Sequence, residues 1–242
     1  MSTSSIIIIG NEILSGKFPD ENTPFLIHRL KALGIQLARA VVIPDVLEEI
    51  EREVAWSSDR YDYVVTTGGV GPTHDDMTME GVARAFEVDL VENLSLATLI
   101  REKMSRANAA ALRMALVPEG SRLVEDTDLW FPLVVKENVH ILPGVPGLMR
   151  RKFESAARLW VGRDLFSAKV VSSEYETAIA DRLEQAVARW PRVEIGSYPR
   201  YEDGPRHVIV TMEGESEAEV EACRGWLSGA LTLYVPASQR EP

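Results

Sequence analysis

The sequence predicts an α/β protein: a doubly wound, mostly parallel sheet followed by a small C-terminal α+β domain. Three observations predict it. Short β-branched runs alternate with helical periods through the first half of the chain. Several of those runs end in glycine-rich turns. Near residue 165 the pattern changes character, which gives expected domains of 1–165 and 166–242.

Taken in order, Ile6–Ile9 reads as a buried strand that stops at Gly10. Leu26, Leu30 and Leu33 fall on one helical face, and Gly34 is a natural helix stop. Gln36–Ile43 is the second strand, rich in Val and Ile, and Leu47, Ile50 and Val54 mark the next helix. Tyr61–Thr67 is a third strand that runs straight into Gly68-Gly69-Val70-Gly71-Pro72, and Glu80 to Phe86 reads as helix. Leu94 to Met114 is rich in Ala, Leu, Arg and Met and is expected to be helical, ending at Pro118. Leu133–Leu142 is expected to be one further strand, followed by Pro143-Gly144-Val145-Pro146 and a helix to about Trp160.

The last third reads as a β-α-β-β-α unit. Ala168–Ser173 is a strand, and Ile179, Leu183, Val187 and Trp190 give a helix face. Val193–Ile195 and His207–Met212 are two more strands, and Val220, Cys223, Leu227 and Leu231 mark a closing helix.

Composition removes several classes of function. The chain has 242 residues, 45% of them hydrophobic, and a formal net charge of −11. Such a surface repels a phosphate backbone or an anionic membrane, so neither nucleic acid nor membrane is an expected partner. A small anion is still welcome where backbone N–H groups or a metal create a local positive field. Cys223 is the only cysteine, which excludes an internal disulfide and a thiolate metal site. No apolar run has the length of a signal-peptide core or a membrane span, so a cytoplasmic protein is expected.

Three constellations carry chemistry. The first is Thr66-Thr67-Gly68-Gly69-Val70-Gly71-Pro72-Thr73-His74-Asp75-Asp76-Met77-Thr78. Glycines after a strand let the backbone turn tightly and approach a ligand, and the following helix start offers N–H groups to a phosphate. Asp75 and Asp76 at the same place suggest a divalent cation; the plainer alternative is that they cap a helix. This is neither the dinucleotide fingerprint nor the P-loop.

The second constellation is Gly10-Asn11-Glu12-Ile13-Leu14-Ser15-Gly16, with Asp20, Glu21 and Asn22 behind it. It leaves the end of the first strand, where ligands gather in open α/β sheets, and its polar groups suit a metal or a heterocycle. The alternative is a polar loop with helix caps from Asp20 to Thr23. The third is Leu142-Pro143-Gly144-Val145-Pro146-Gly147, with Pro146 suited to the first helical position. Asp45, after the second strand, is a further candidate with a capping alternative. The four histidines have no ligand spacing, Ser15 lies in no nucleophile elbow, and Cys223 sits on an apolar stripe.

In matching order, these three constellations resemble the MoaB/Mog (molybdopterin-binding) fold family. More narrowly they resemble the N-terminal domain of competence/damage-inducible protein A and the molybdopterin-binding-like domain of FAD synthase. Met114-Ala115-Leu116-Val117-Pro118-Glu119-Gly120, Phe131-Pro132-Leu133-Val134 and Ile195-Gly196-Ser197-Tyr198-Pro199 resemble the FAD-synthase branch. Two departures stand out. Leu148 occupies the place of a glutamate in the family's Leu-Pro-Gly-Val-Pro-x-Glu-Met, and the Ala-Pro-Gly segment of the competence-protein branch is missing around residues 125–132.

The resemblance implies three functional classes. The leading expectation is metal-dependent hydrolysis of a nucleoside-diphosphate-linked compound such as ADP-ribose or FAD, with Mg, Mn or Co. Asp76, Asp75 and Asp45 are the expected catalytic residues, and together with Asp20 the expected metal ligands. Gly10, Asn11, Glu12, Ser15, Gly68, Gly69, Gly71, Thr73, Thr78, Pro143 and Gly144 are the expected ligand-binding positions. The second class is molybdopterin binding or adenylylation in molybdenum cofactor biosynthesis. The third is a ligand-binding or oligomerisation module without activity, favoured by Leu148. A homo-oligomer, dimer or trimer, is expected.

Overall fold

The computed structural model describes residues 2–104, 107–126, 129–201 and 206–234. It divides into two compact units, Met1–Arg163 and Asp164–Pro242.

The first unit runs β1 (Thr3–Ile9), α1 (Asn11–Leu14), α2 (Asn22–Ala32), β2 (Gln36–Ile43), α3 (Leu47–Ser58), β3 (Tyr63–Thr67) and α4 (Thr78–Ala85). It continues through β4 (Leu90–Glu92), α5 (Leu94–Lys103), α6 (Ala109–Arg113), β5 (Leu116–Pro118), β6 (Arg122–Asp126), β7 (Leu129–Lys136), β8 (Val139–Leu142) and α7 (Pro146–Ala157). The main sheet has the order β2-β1-β3-β8-β7-β6. β2, β1, β3 and β8 are parallel, and β7 and β6 add two antiparallel pairings at one edge.

Strand alternation explains the double winding. On β1, Ile7 and Ile9 enter a core with Ile50 and Val54 of α3 and Leu96 and Ile100 of α5. Ile6 and Ile8 enter the opposite core, with Leu26 and Leu30 of α2 and Met149 and Phe153 of α7. A strand buried on both faces needs apolar side chains at successive positions, which is why Ile6–Ile9 is an unbroken isoleucine run. Gly34, with φ 66, ends the turn after α2; a Cβ there would lie 1.6 Å from the carbonyl oxygen of Arg163.

Two expectations are corrected. The single strand over Leu133–Leu142 is a hairpin, β7 and β8, turning at Glu137 (φ 49) and Asn138. The polar Lys136-Glu137-Asn138 triplet interrupts the apolar run. The Asn138 amide then donates to the carbonyls of Ser58 (2.9 Å) and Tyr61 (2.7 Å), which pins the turn. The helical stretch from Leu94 to Met114 is two helices, α5 and α6, because Asn108 caps α6 by accepting from the Ala111 N–H at 2.9 Å. Pro118 does not end a helix; it pairs with Leu90 in the small β4–β5 ribbon.

The second unit contains β9 (Phe166–Ser172), α8 (Glu176–Arg189), β10 (Glu194–Arg200), β11 (His207–Gly214) and α9 (Glu217–Ala230). Its antiparallel sheet has the order β10-β11-β9. Ile179 of α8 and Val220, Cys223 and Leu227 of α9 pack on Val208, Val210 and Met212 of β11. Cys223 is fully buried there, and burial raises its thiol pKa, as suits a core residue. Residues 235–242 of the expected second domain lie outside the described ones. Among the described residues, no helix is long and apolar enough to cross a membrane.

Candidate functional site

The strand ends of β1, β3 and β8 lie side by side in the first unit, and the three glycine-containing turns leave from them. The β3 turn is packed tightly. Gly68 has φ 105, and a Cβ there would stand 1.9 Å from the Ile9 carbonyl oxygen at the end of β1. Gly69 has φ 62 and passes over Thr78. Only glycine meets both demands, left-handed backbone and close approach. Thr78, fully buried, holds the turn from below: its hydroxyl donates to the Gly68 carbonyl at 2.7 Å and its N–H to that of Gly69 at 3.0 Å.

Asn22, at the start of α2, ties the third turn to β3. Its amide nitrogen donates to Thr67 Oγ1 at 3.0 Å and to the Gly144 carbonyl at 2.8 Å. Thr67 in turn donates to the Pro143 carbonyl at 2.9 Å. Among the described residues, the N–H groups of Gly69, Val70 and Gly71 have no acceptor within the protein. They are free to meet an anion.

Two cavities open here, of about 670 and 660 Å³. They share a rim formed by Gly69, Val70, Gly71, Asp76, Met114, Pro143 and Leu148. The first extends past Asp45, Thr73 and Arg113 to an apolar wall that includes Trp130 and Phe131. The second lies under Glu12, Phe18, Asp20, Asn22 and Gly144.

The predicted site residues therefore separate into groups. Asp76 lies on the shared rim, half-buried. Its Oδ2 accepts from the Thr73 N–H at 2.7 Å and from the Thr73 hydroxyl, so it closes the Thr73–Asp76 turn. It does not cap α4, whose N-cap is Met77. Asp75 is exposed and lines neither cavity, and the Thr73 hydroxyl, for whose one proton it competes with Asp76, and a backbone N–H hold its carboxyl below the usual range. Asp45 lines the first cavity and accepts from the Asn11 N–H at 2.7 Å. Burial first, and then the negative charges of Glu12 and Asp75, push its carboxyl pKa up against that hydrogen bond.

Asp20 lines the second cavity and stands one residue before Glu21, the N-cap of α2. Its Oδ1 accepts from the N–H groups of Asn22 (2.9 Å) and Thr23 (3.0 Å). Gly10, Asn11 and Ser15 are not among the residues lining either cavity. Gly10 donates to Ile43 beside β2, and Ser15 bonds back to the Glu12 carbonyl at the end of α1. Among the described residues, no group of three or more His, Cys, Asp or Glu side chains converges to hold a metal ion. The expected four-aspartate ligand set is thus not assembled.

Two cations escaped the sequence reading. Arg113, at the end of α6, lines the first cavity and donates to the Pro72 carbonyl. Lys152 of α7 also lines it and is only 6% exposed. Its Nζ donates to the Pro132 carbonyl at 2.8 Å and sits 4.7 Å from the centroid of the Phe131 ring. Burial lowers its pKa from 10.5 to about 8. The signal was present: Met149, Lys152, Phe153 and Ala156 follow the helical period of the buried stripe.

Residues 5–161 match the family described as "Probable molybdopterin binding domain", and residues 164–237 match "FAD synthase, middle domain". An Archaeoglobus fulgidus protein is 36% identical over 216 residues, covering 89% of this chain and 92% of its own. A "Probable FAD synthase" of Caenorhabditis briggsae is 34% identical over 262 residues, 96% of this chain and 50% of its own length. The chain therefore spans about half of that relative. Among solved structures, CinA of Thermoplasma acidophilum, described as of unknown function, aligns with a TM-score of 0.60 at 34% identity. That alignment covers 65% of this chain and 96% of the other.

Proposed function

The chain belongs to the molybdopterin-binding domain family, with a FAD-synthase middle domain after it, and on that premise we propose that its first unit binds a phosphorylated nucleotide or pterin and hydrolyses a nucleoside-diphosphate linkage of the ADP-ribose or FAD type. One observation carries the reading. Free N–H groups of the glycine turn, four carboxylates (Asp45, Glu48, Asp76 and Glu80) and two cations meet at one cavity beside three strand ends.

In this mechanism the Gly69–Gly71 N–H groups donate to non-bridging phosphate oxygens. Arg113, bonded to the Pro72 carbonyl beside the turn, and Lys152 add positive charge to the same cavity. Asp45, its carboxyl pKa raised, takes a proton from the attacking water more readily than an ordinary aspartate does. Asp76 lines the cavity and holds its own turn closed through Oδ2 and Thr73. The donor set fits a magnesium-type ion that is held by one or two carboxylates and by the ligand's phosphates, not by a caged all-protein site. Asp76 would hold it, together with the ligand's phosphates, and it would supply charge neutralisation there.

The test is to incubate the purified chain with ADP-ribose, FAD and NAD under Mg, Mn and Co, and to measure AMP release. Absence of release under every metal counts against hydrolysis. A second reading, pterin binding or adenylylation, draws support from the match of residues 5–161 to the molybdopterin-binding family. Tight molybdopterin binding with ATP-dependent adenylylation would favour it.

A further inference from the structure

The second cavity contains a side chain whose hydrogen bonding is incomplete. Asn22 is 7% exposed, and its amide orientation is fixed by chemistry. The Gly144 carbonyl can only accept, and the one proton of Thr67 is committed to Pro143. The atom facing both must therefore be the Asn22 nitrogen. Oδ1 is left on the other side of the amide, buried, with no donor. An unpaired buried amide oxygen is unfavourable, and a bound N–H group satisfies it.

The rest of the cavity has the same polarity. Its charged lining is Glu12, Asp20, Glu21 and Asp76, all acceptors, set among apolar groups such as Ile13 and Phe18. Arg113 and Lys152 line the first cavity and not this one. A phosphate placed beside Asn22 meets Glu12, Asp20, Glu21 and an amide oxygen, and the Gly69–Gly71 N–H groups lie on the rim that this cavity shares with the first. A flat ring with N–H groups meets acceptors and apolar walls.

We propose that the Asn22 cavity is the subsite for an amino-bearing heterocycle, which donates an N–H to Asn22 Oδ1. The ligand then runs across the glycine turn, so that its phosphate lies on the Arg113 side. The proposal rests on the nucleotide-or-pterin reading and adds two things: which end of the ligand goes where, and the requirement for an amine on the ring.

The experiment is isothermal titration of the full chain with two matched pairs. One pair is AMP and purine riboside 5′-monophosphate; the other is 6-hydroxymethylpterin and its 2-deamino analogue. In each pair the second compound lacks the amine and is no larger, so no clash confuses the comparison. For the ring that binds, the amine should strengthen binding by about tenfold, the expected effect of leaving a buried acceptor unpaired. Asn22→Ala, checked for folding by its melting curve, should bind both members alike. Equal affinities within each pair for the unmodified chain overturn the Asn22 assignment and leave ligand binding intact. Discrimination that survives in Asn22→Ala overturns it as well. No binding of either amino compound overturns both the proposal and the reading beneath it. Should that variant fail to fold, Asn22→Ser takes its place with the same two outcomes.

Discussion

Lys152→Met tests whether the buried lysine is a liability retained in the site. Its folded pKa of about 8 lies below the ordinary 10.5. The folded state therefore binds fewer protons than the unfolded state between those values, and this group's contribution to stability rises as pH rises from about 8 to 10.5. At pH 7 both states carry the proton, and burying the charge costs roughly 3 kcal/mol. Methionine keeps the unbranched stem and removes that cost, but it leaves the Pro132 carbonyl without the Nζ–H at 2.8 Å. The lost hydrogen bond is worth about 1–2 kcal/mol. The variant should thus be more stable than the parent by roughly 1–2 kcal/mol at pH 7. Above the ordinary lysine pKa the sign should reverse, because a neutral lysine keeps the bond at no charge penalty. Urea melts of both proteins from pH 6 to 10.5, subtracted from each other, isolate the effect. A difference that stays flat across that range would refute the reasoning. Anion affinity at pH 7 should fall in the same variant, since a cation lining the cavity is gone.

Asp76→Asn should preserve folding, because an amide oxygen can still accept from the Thr73 N–H. Turnover should nevertheless drop on the order of a hundredfold if the carboxylate holds a cation on phosphate. Asp62→Asn, which alters a carboxylate bound to Thr3 at the start of β1, should leave turnover unchanged. Similar losses at both positions would misplace the site. Gly68→Ala should destabilise the chain by roughly 3 kcal/mol or more, measured by denaturant melts, since its Cβ would meet the Ile9 carbonyl at 1.9 Å on a left-handed backbone. Acid should destabilise the chain through His140, which is buried against Trp160, whose Nε1–H donates to the imidazole at 2.8 Å. Burial lowers the His140 pKa from 6.5 to about 4, so its contribution is present above pH 6.5 and declines as pH falls to 4. His140→Gln should flatten that part of the stability curve, and an unchanged acid limb would show that other groups dominate.

Periodicity made the central strands legible because both faces of β1 and β3 are buried, and an unbroken isoleucine or valine run has few other uses. The hairpin of β7 and β8 was hidden by the same signal. Apolar strands joined by a two-residue turn look like one strand when the turn carries Glu137 and not glycine. Glycine turns and carboxylates located the ligand-binding end of the sheet, since a turn that needs Gly68 and Gly69 constrains the sequence directly. Side-chain roles were less legible. Asp20 and Asp76 read alike in the sequence, yet Asp20 lines one cavity with Oδ1 bound to first-turn N–H groups, and Asp76 lies on the rim of both with Oδ2 bound to Thr73. Which of them is available depends on hydrogen bonds that no spacing encodes.

The charge of the chain sharpens the argument about the site. A net −11 protein repels a phosphorylated ligand at long range, so recognition has to come from short-range groups at the cavity. The cations are what separate the two cavities. Arg113 and Lys152 line the first alone, beside Asp45, Glu48 and Glu80, whereas the Asn22 oxygen lies with Glu12, Asp20 and Glu21 at the second, and the Gly69–Gly71 turn and Asp76 border both. A molecule with an anion at one end and ring N–H donors at the other matches this separation in one orientation and opposes it in the other. Inverting the polarity of one cavity should therefore weaken binding more than removing a single contact. Arg113→Glu, which reverses the charge in the first cavity, should lose more affinity than Arg113→Ala in the titrations, and equal losses would mean that only the single contact matters.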